Sequence, residues 1–332
     1  MKYKLLGRSG LKVSELCLGT MSFGAQAGWG ADKATSFKIM EAFANAGGNF
    51  LNTANIYNLG NNEKIIGEFL SSRNRDYFVL ATKYSLQDNN KISTASVNNH
   101  RNLICSVEES LKRLQTDFID VLYLHIGDRY TPIDELLYAM NDLIKQGKVL
   151  YTAMSDAPAW IISRGNTMAE LMGWNQFVAI QIEYNLLQRS AERDLIPMAK
   201  HFNISITPLA ELDTFNTRHL HNDSARIKHN NRLNASSRRI TQAIITVAEK
   251  LETDPSHIAL KWAMQQPFSV IPIINATSEH QLLENLKVVD VTISEEDMKH
   301  LNEISSVDSK NLEKPSNAEA VQMNAYESMY VK

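Results

Sequence analysis

Asn52, Tyr57, Lys83 and His125 are side chains of the kinds that move a proton at an oxygen, and each sits at or just beyond the end of a short apolar run, in GGNFLNTANIY, VLATKY and DVLYLHIGD. A phenol with an ordinary pKa of about 10 donates poorly at neutral pH unless its anion is stabilised. A neighbouring ammonium does this, so Lys83 is the expected partner of Tyr57. The imidazole of His125 can hydrogen-bond a substrate oxygen and align it. Asn52 can accept a hydrogen bond from the lysine but brings no negative charge. Such a set suits delivery of a proton to a carbonyl oxygen as hydride reaches the carbon. Taken singly, each residue has an ordinary explanation, as a packed rim aromatic or a solvated lysine. Their joint occurrence at successive strand ends points to a site.

These groups converge only if the strands carrying them end at one place. Strand-like runs occur at Glu15–Met21, Phe50–Ala54, Tyr77–Thr82, Phe118–His125, Val149–Met154, Phe177–Gln181, Ile204–Pro208 and Val270–Ile274. They are apolar on both faces, as in parallel strands covered on each side. Segments of helical period alternate with them. Ile133, Leu136, Leu137, Met140, Leu143 and Ile144 form one stripe, with Thr131 expected as the N-cap, Pro132 in the first turn and Gly147 as the left-handed stop. A hairpin opens the chain in KYKLLGRSGLKVSEL, with its turn at Ser9-Gly10. Eight strand–helix pairs make either a closed barrel or a doubly wound sheet. No GxGxxG follows any strand, so the second lacks its phosphate-binding turn. The expected fold is α/β: a (β/α)8 TIM barrel with an N-terminal β-hairpin and long loops at the C-terminal face, one domain over residues 1–332.

Composition narrows the function. With 332 residues and 44% hydrophobic content the chain can bury a large core, and a net charge of −3 gives no general attraction to nucleic acid or to an anionic membrane. Only Cys17 and Cys105 occur, without zinc spacing, which fits a reducing cytoplasm and no metal site. No signal peptide or long apolar run is present, so a soluble cytoplasmic protein with a small-molecule partner is expected, and nothing fixes its oligomeric state. Two stretches break the rhythm: the polar segment Glu211–Arg239 and the tail from Val307. For the first, a lid over the barrel mouth and a solvated loop both stay open; the tail reads as solvated. His219 and His221 lack a carboxylate pair and read as solvated, as do Arg218, Arg226, Lys228, Arg232, Arg238 and Arg239.

With GTMSFG ahead of these segments and NNHRNLICSVEESLKRLQTDFIDVLYLH and GKVLYTAMSDAPAW after them, the chain resembles the aldo-keto reductase superfamily over nearly its whole length. The resemblance implies an NADP- or NAD-dependent oxidoreductase passing hydride to or from a small aldehyde or ketone, or the corresponding alcohol. Tyr57 would be the proton donor, Lys83 its electrostatic partner and His125 the carbonyl orienter. Asn52 stands where the family has an aspartate in (F/L)xDTAxxY, so a less firmly oriented and less securely charged Lys83 is expected. The resemblance also implies cofactor contacts from Met21, Ser155, Asp156, Gln181, Leu209, Ala276, Thr277, Gln281 and Asn285.

Several of these positions depart from the family. Leu209 replaces an aromatic that stacks on nicotinamide, AELDTFNTR replaces a glycine-containing loop near the pyrophosphate, and in IPIINATSEHQLLENL Asn275 replaces a glycine and Thr277 an arginine. Weak discrimination between NADPH and NADH is therefore expected. A second reading remains: a repurposed barrel doing cofactor-independent acid–base chemistry (dehydration, isomerisation or cyclisation on a biosynthetic intermediate), or a non-catalytic binding protein. The substrate pocket is expected around Gln26–Trp29, Ile126–Tyr130 and the tail.

Overall fold

The eight apolar runs pair in sequence order into one parallel sheet that curls back on itself. A computed structural model describes residues 1–24, 30–84, 98–125, 131–210 and 235–306. A hairpin of β1 (Tyr3–Leu5) and β2 (Lys12–Ser14) precedes the sheet, with Lys4 opposite Val13. The sheet strands are β3 (Cys17–Gly19), β4 (Phe50–Asn52), β5 (Val79–Tyr84), β6 (Ile119–Leu124), β7 (Val149–Ser155), β8 (Ala179–Gln181), β9 (Ser205–Ile206) and β10 (Ile273–Ile274). Their order is β10-β3-β4-β5-β6-β7-β8-β9, all parallel. Parallel bridges from Ile206 to Val270 and from Leu209 to Ile273 close the last seam, giving the expected (β/α)8 barrel. Several observed strands are shorter than the apolar runs that announce them.

Helices cover the outside. In chain order they are α1 (Lys33–Asn45), α2 (Asn61–Leu70), α3 (His100–Leu114), α4 (Ile133–Lys145), α5 (Ala159–Met172), α6 (Leu195–Phe202), α7 (Ala235–Lys250), α8 (Pro255–Met264), α9 (Glu279–Leu286) and α10 (Glu295–Ile304). Many begin on a short polar side chain that satisfies a free N–H of the first turn: Asp32 accepts from Thr35 N at 2.8 Å, Asn99 from Asn102 N at 3.0 Å and Ser278 from Gln281 N at 3.1 Å. On α4 the predicted stripe is buried at Ile133, Leu136, Leu137, Met140 and Leu143, and Gly147 takes φ 73° beyond its end. The helix start differs from expectation. Pro132, not Thr131, holds the N-cap position without a side-chain cap, because its fixed φ and extended ψ already turn the chain into the helix. The polar segment expected as a loop to Arg239 also ends early. From Ala235 the chain is helical, with Ser236, Arg238 and Arg239 exposed while Ser237 and Ile240 turn inward.

Strand periodicity splits the buried residues into two nested cores. Inward positions Cys17, Phe50, Val79, Ala81, Val121, Tyr123, Ala153, Ala179, Ile271 and Ile273 fill the barrel. Their neighbours Leu18, Leu51, Leu80, Leu122, Met154, Ile180 and Ile274 face outward and pack under the helices. Leu6 and Val13 of the hairpin join the inner core and plug the barrel floor. The plug is fastened by Gly7 N to Ser205 Oγ at 2.7 Å and Lys4 Nζ to Val270 O at 2.9 Å. Gly7 has φ 56°, and a Cβ there would lie 2.2 Å from Val178 O. Gly7→Ala should therefore cost about 2–4 kcal/mol from left-handed strain and backbone overlap. Gly10→Ala, which meets nothing within 4 Å, should be nearly neutral. Urea unfolding of both variants checks this; equal midpoints would mean that the hairpin does not seal the floor.

Candidate active site

Period 2 along the strands decides what reaches the barrel mouth. Gly19 aligns with Asn52, Asn52 with Ala81, Lys83 with Tyr123, and Ser155 with Gln181. Tyr123 and Ala81 lie in the inner core, so Lys83, two residues beyond Ala81, and His125, two beyond Tyr123, take the same inward parity one layer higher. Asn52, Lys83, His125, Ser155 and Gln181 thus belong to one ring above the packed interior. Tyr57 joins them from the turn after β4. That turn runs through Asn58 and Leu59 in left-handed conformations, φ 51° and 55°, and Asn58 Nδ2 donates to Gly24 O at 3.0 Å, holding it against the segment after β3.

At the centre lies Lys83, 1% exposed. Its Nζ donates to Tyr57 Oη at 2.8 Å, Asn52 Oδ1 at 2.9 Å and Thr53 O at 3.3 Å. Three donors meet three acceptors. As expected, the Asn52 amide oxygen accepts a hydrogen bond from Lys83 without bringing a negative charge. Asn52 Nδ2 is buried without a partner among the described residues. The Tyr57 and His125 rings meet edge to face at 6.0 Å. Burial, with Lys83 nearby, pushes the His125 imidazole down to about 3, so it is neutral across the physiological range and has one ring N–H to give.

Asp156 follows Ser155 at φ 47°, a left-handed turn that brings its carboxyl back beside the serine, Oγ to Oδ2 at 3.4 Å. Burial raises it to about 6 against the opposing effects of the Ser155 hydrogen bond and Lys83. Gln181 Oε1 is buried without a partner among the described residues. An unpaired acceptor beside a hydroxyl and a readily protonated carboxyl fits a primary carboxamide, which needs an acceptor for its N–H groups and a donor for its oxygen.

The remaining predicted positions form the rim. Met21 is half-buried beyond β3, and Leu209 packs on the inner core through its bridge to Ile273. Ala276 is buried, its carbonyl accepting from Ser22 Oγ at 2.8 Å. Asn285 Nδ2 ties α9 back to Asn275 O at 3.1 Å, while Gln281 Oε1 is taken by Thr277 N at 2.8 Å and Thr277 Oγ1 at 3.1 Å. The Asn275 amide lies over Gly19, where a Cβ would come within 2.3 Å of its Oδ1. No Lys or Arg occurs between Val270 and Leu286, and Lys287 pairs with Glu284.

Expectations on Gln26–Trp29, Ile126–Tyr130, the 211–234 stretch with its His219, His221 and four of its cations, and the tail fall outside the described residues. Among the described residues no group of three His, Cys, Asp or Glu side chains gathers as a metal site, and no helix is long and apolar enough to cross a membrane.

Comparison with known proteins shows the family. The model of the Aldo/keto reductase family matches residues 15–306. The chain belongs to this family. It is 35% identical to an aryl-alcohol dehydrogenase [NADP(+)] of Phanerodontia chrysosporium, covering 89% of this chain and 83% of that protein. It is 34% identical to a norsolorinic acid reductase of Aspergillus flavus, with coverage of 92% and 81%. A norsolorinic acid reductase B of Dothistroma septosporum shares 35%, with coverage of 91% and 81%.

Sequence reasoning missed Asn62, Glu63 and Thr82, buried polar residues just outside the ring. The NNE at the start of α2 reads as a polar first turn, and only its later pairing shows that it faces inward.

Asp156 carries a pH signature. Its folded value of about 6 lies above the ordinary 3.8, so the folded state holds an extra proton between them. The stability it contributes is full below about pH 4 and is lost as pH rises through about 6. Asp156→Asn should remove that loss, gaining about 1–3 kcal/mol over the native chain at pH 7.5 and little at pH 4.5. Urea midpoints at the two pH values test this; a gap that does not change with pH would contradict the burial assigned to the carboxyl.

Proposed function

We propose that the protein is a nicotinamide-dependent carbonyl reductase, working reversibly on small aromatic aldehydes or ketones and their alcohols with NADP or NAD. The observation that carries this reading is the Lys83 ammonium 2.8 Å from the Tyr57 hydroxyl, inside the mouth of a family barrel and facing a neutral imidazole. The aromatic substrate class follows the relatives named for aryl alcohols and norsolorinic acid. The whole chain is read as one barrel domain of the cytoplasm.

Tyr57 gives its proton to the carbonyl oxygen, and Lys83 stabilises the phenolate left behind. His125, too weak a base to be charged, donates its N–H to the same oxygen and fixes the angle of the carbonyl. Ser155, Asp156 and Gln181 would hold a carboxamide, and Met21, Leu209, Ala276, Thr277, Gln281 and Asn285 would line the rest of the dinucleotide. The bound nicotinamide supplies the hydride. With no Lys or Arg from Val270 to Leu286, this segment would offer a 2′-phosphate hydroxyls, amides, backbone N–H groups and His280 but no fixed cation, so NADPH and NADH should bind with similar affinity.

Two substitutions test the reading with benzaldehyde and either cofactor. Tyr57→Phe should lower kcat by roughly 10²–10⁴-fold, the worth of a positioned acid. Asn52→Asp should raise it by about tenfold, the difference between a neutral and an anionic acceptor beside the ammonium. Absence of dinucleotide binding by nicotinamide fluorescence would refute the oxidoreductase. An activity lost in Tyr57→Phe yet indifferent to added nicotinamide would establish acid–base chemistry without hydride transfer instead.

A further inference from the structure

Glu63 is an expensive residue to bury. It lies in the first turn of α2, fully enclosed, with Oε2 accepting from Arg113 Nε at 2.7 Å and Oε1 accepting from Thr82 Oγ1 at 2.7 Å. A buried ion pair adds little to stability relative to apolar side chains of the same volume, so its placement calls for another reason. Thr82 immediately precedes Lys83 on β5. Because adjacent strand residues face opposite sides, the bond from Thr82 to Glu63 on the outside fixes the strand segment from which Lys83 projects inward. Asn62, also fully buried, anchors the same turn on the other side: its Nδ2 donates to Thr20 O at 2.6 Å, and Thr20 N and Oγ1 both donate to Asn52 O, at 3.0 and 3.1 Å. The Tyr57–Gly60 turn leads directly into α2. One turn of helix therefore adjoins the three places from which Asn52, Tyr57 and Lys83 arise.

We propose that Glu63 and Thr82 are positioning residues, setting the Lys83 ammonium against the Tyr57 hydroxyl from outside the barrel wall. This rests on the reading of Tyr57 and Lys83 as proton donor and partner. Thr82→Val keeps the shape and the Arg113 pair but removes the hydroxyl. It should lower kcat for benzaldehyde reduction by roughly 10- to 100-fold with KM unchanged, as expected when a reacting pair shifts by a fraction of an ångström to an ångström. The solvent deuterium effect on kcat should rise, because proton transfer becomes slower, and Thr82→Ser should restore both.

Should Thr82→Val fold poorly, a second pair isolates the same bond with the ion pair removed in both members. Glu63→Gln with Arg113→Met keeps an acceptor for Thr82 and should retain kcat, whereas Glu63→Met with Arg113→Met deletes it and should not. A folded Thr82→Val whose kcat stays within about twofold of native, or a Thr82→Ser that fails to restore it, overturns the proposal. If the native protein reduces no carbonyl, the reading of the site has failed on its own. The positioning role is then decided by a crystal structure of Thr82→Val: a Lys83 Nζ to Tyr57 Oη distance still at 2.8 Å overturns it, and a separated pair supports it.

Discussion

A lysine ammonium has three N–H groups, and taking it out of water is tolerable only if all three find acceptors. Lys83 meets this condition with the phenol of Tyr57, the amide oxygen of Asn52 and the backbone carbonyl of Thr53. Each acceptor comes from a different kind of element: a helical turn, a strand end and the residue just past it. The barrel is what brings them within 3.3 Å of one atom, since neighbouring parallel strands in register deliver successive strand ends to the same height. Moving any one of β4, β5 or the turn after β4 would leave a buried charge short of a partner, at a cost of several kcal/mol. The ammonium thus constrains the register of this side of the barrel as much as the barrel presents the ammonium.

The electrostatics around that charge divide by distance. Among the described residues its hydrogen-bond partners are an amide, a phenol and a carbonyl, and burial and the lysine itself keep the nearby imidazole unprotonated. The anion that interacts with Lys83 is farther round the ring at Asp156, where burial and Glu183 favour the neutral acid and Lys83 and Ser155 favour the carboxylate. Burial prevails and lifts the carboxyl to about 6, so near that pH the charge of the mouth depends on a group two strands away from Lys83. A ligand carboxamide seated on Ser155, Asp156 and Gln181 would enter that balance directly, coupling occupancy of this end of the site to the field at the Tyr57 hydroxyl.

Much of this was legible in the chain because it depends on short periods. Runs apolar on both faces located all eight barrel strands and put Lys83 and His125 at strand ends; the structure adds that alternation sets them on the side of Ala81 and Tyr123. The absence of a glycine fingerprint chose the barrel. What stayed hidden depends on pairings between distant residues. Glu63 looks like any acidic residue in a first helical turn, where it suits the helix dipole, and nothing local says that Arg113 and Thr82 will enclose it. The start of α4 moved from Thr131 to Pro132, and the Ser-Ser-Arg-Arg segment proved helical, because composition cannot tell an exposed helix face from a loop.

The orientation of the Asn52 side chain shows what the asparagine does and does not change. With Oδ1 committed to Lys83, Nδ2 is left as a buried donor without a partner among the described residues, a loss of about 1–3 kcal/mol. An aspartate in the same rotamer would place a second oxygen there, equally without a described donor, so neither side chain satisfies the position better by hydrogen bonding alone. Size does not separate them either. The remaining difference is the charge beside an enclosed ammonium, which alters the field at the Tyr57 hydroxyl rather than the shape of the site. Position is thus supplied by strands, turn and the outer tether of Thr82 to Glu63, and charge by whichever group stands at 52. Because the two are carried by different residues, a single substitution at 52 can alter the chemistry of the mouth while the fold that presents it stays the same.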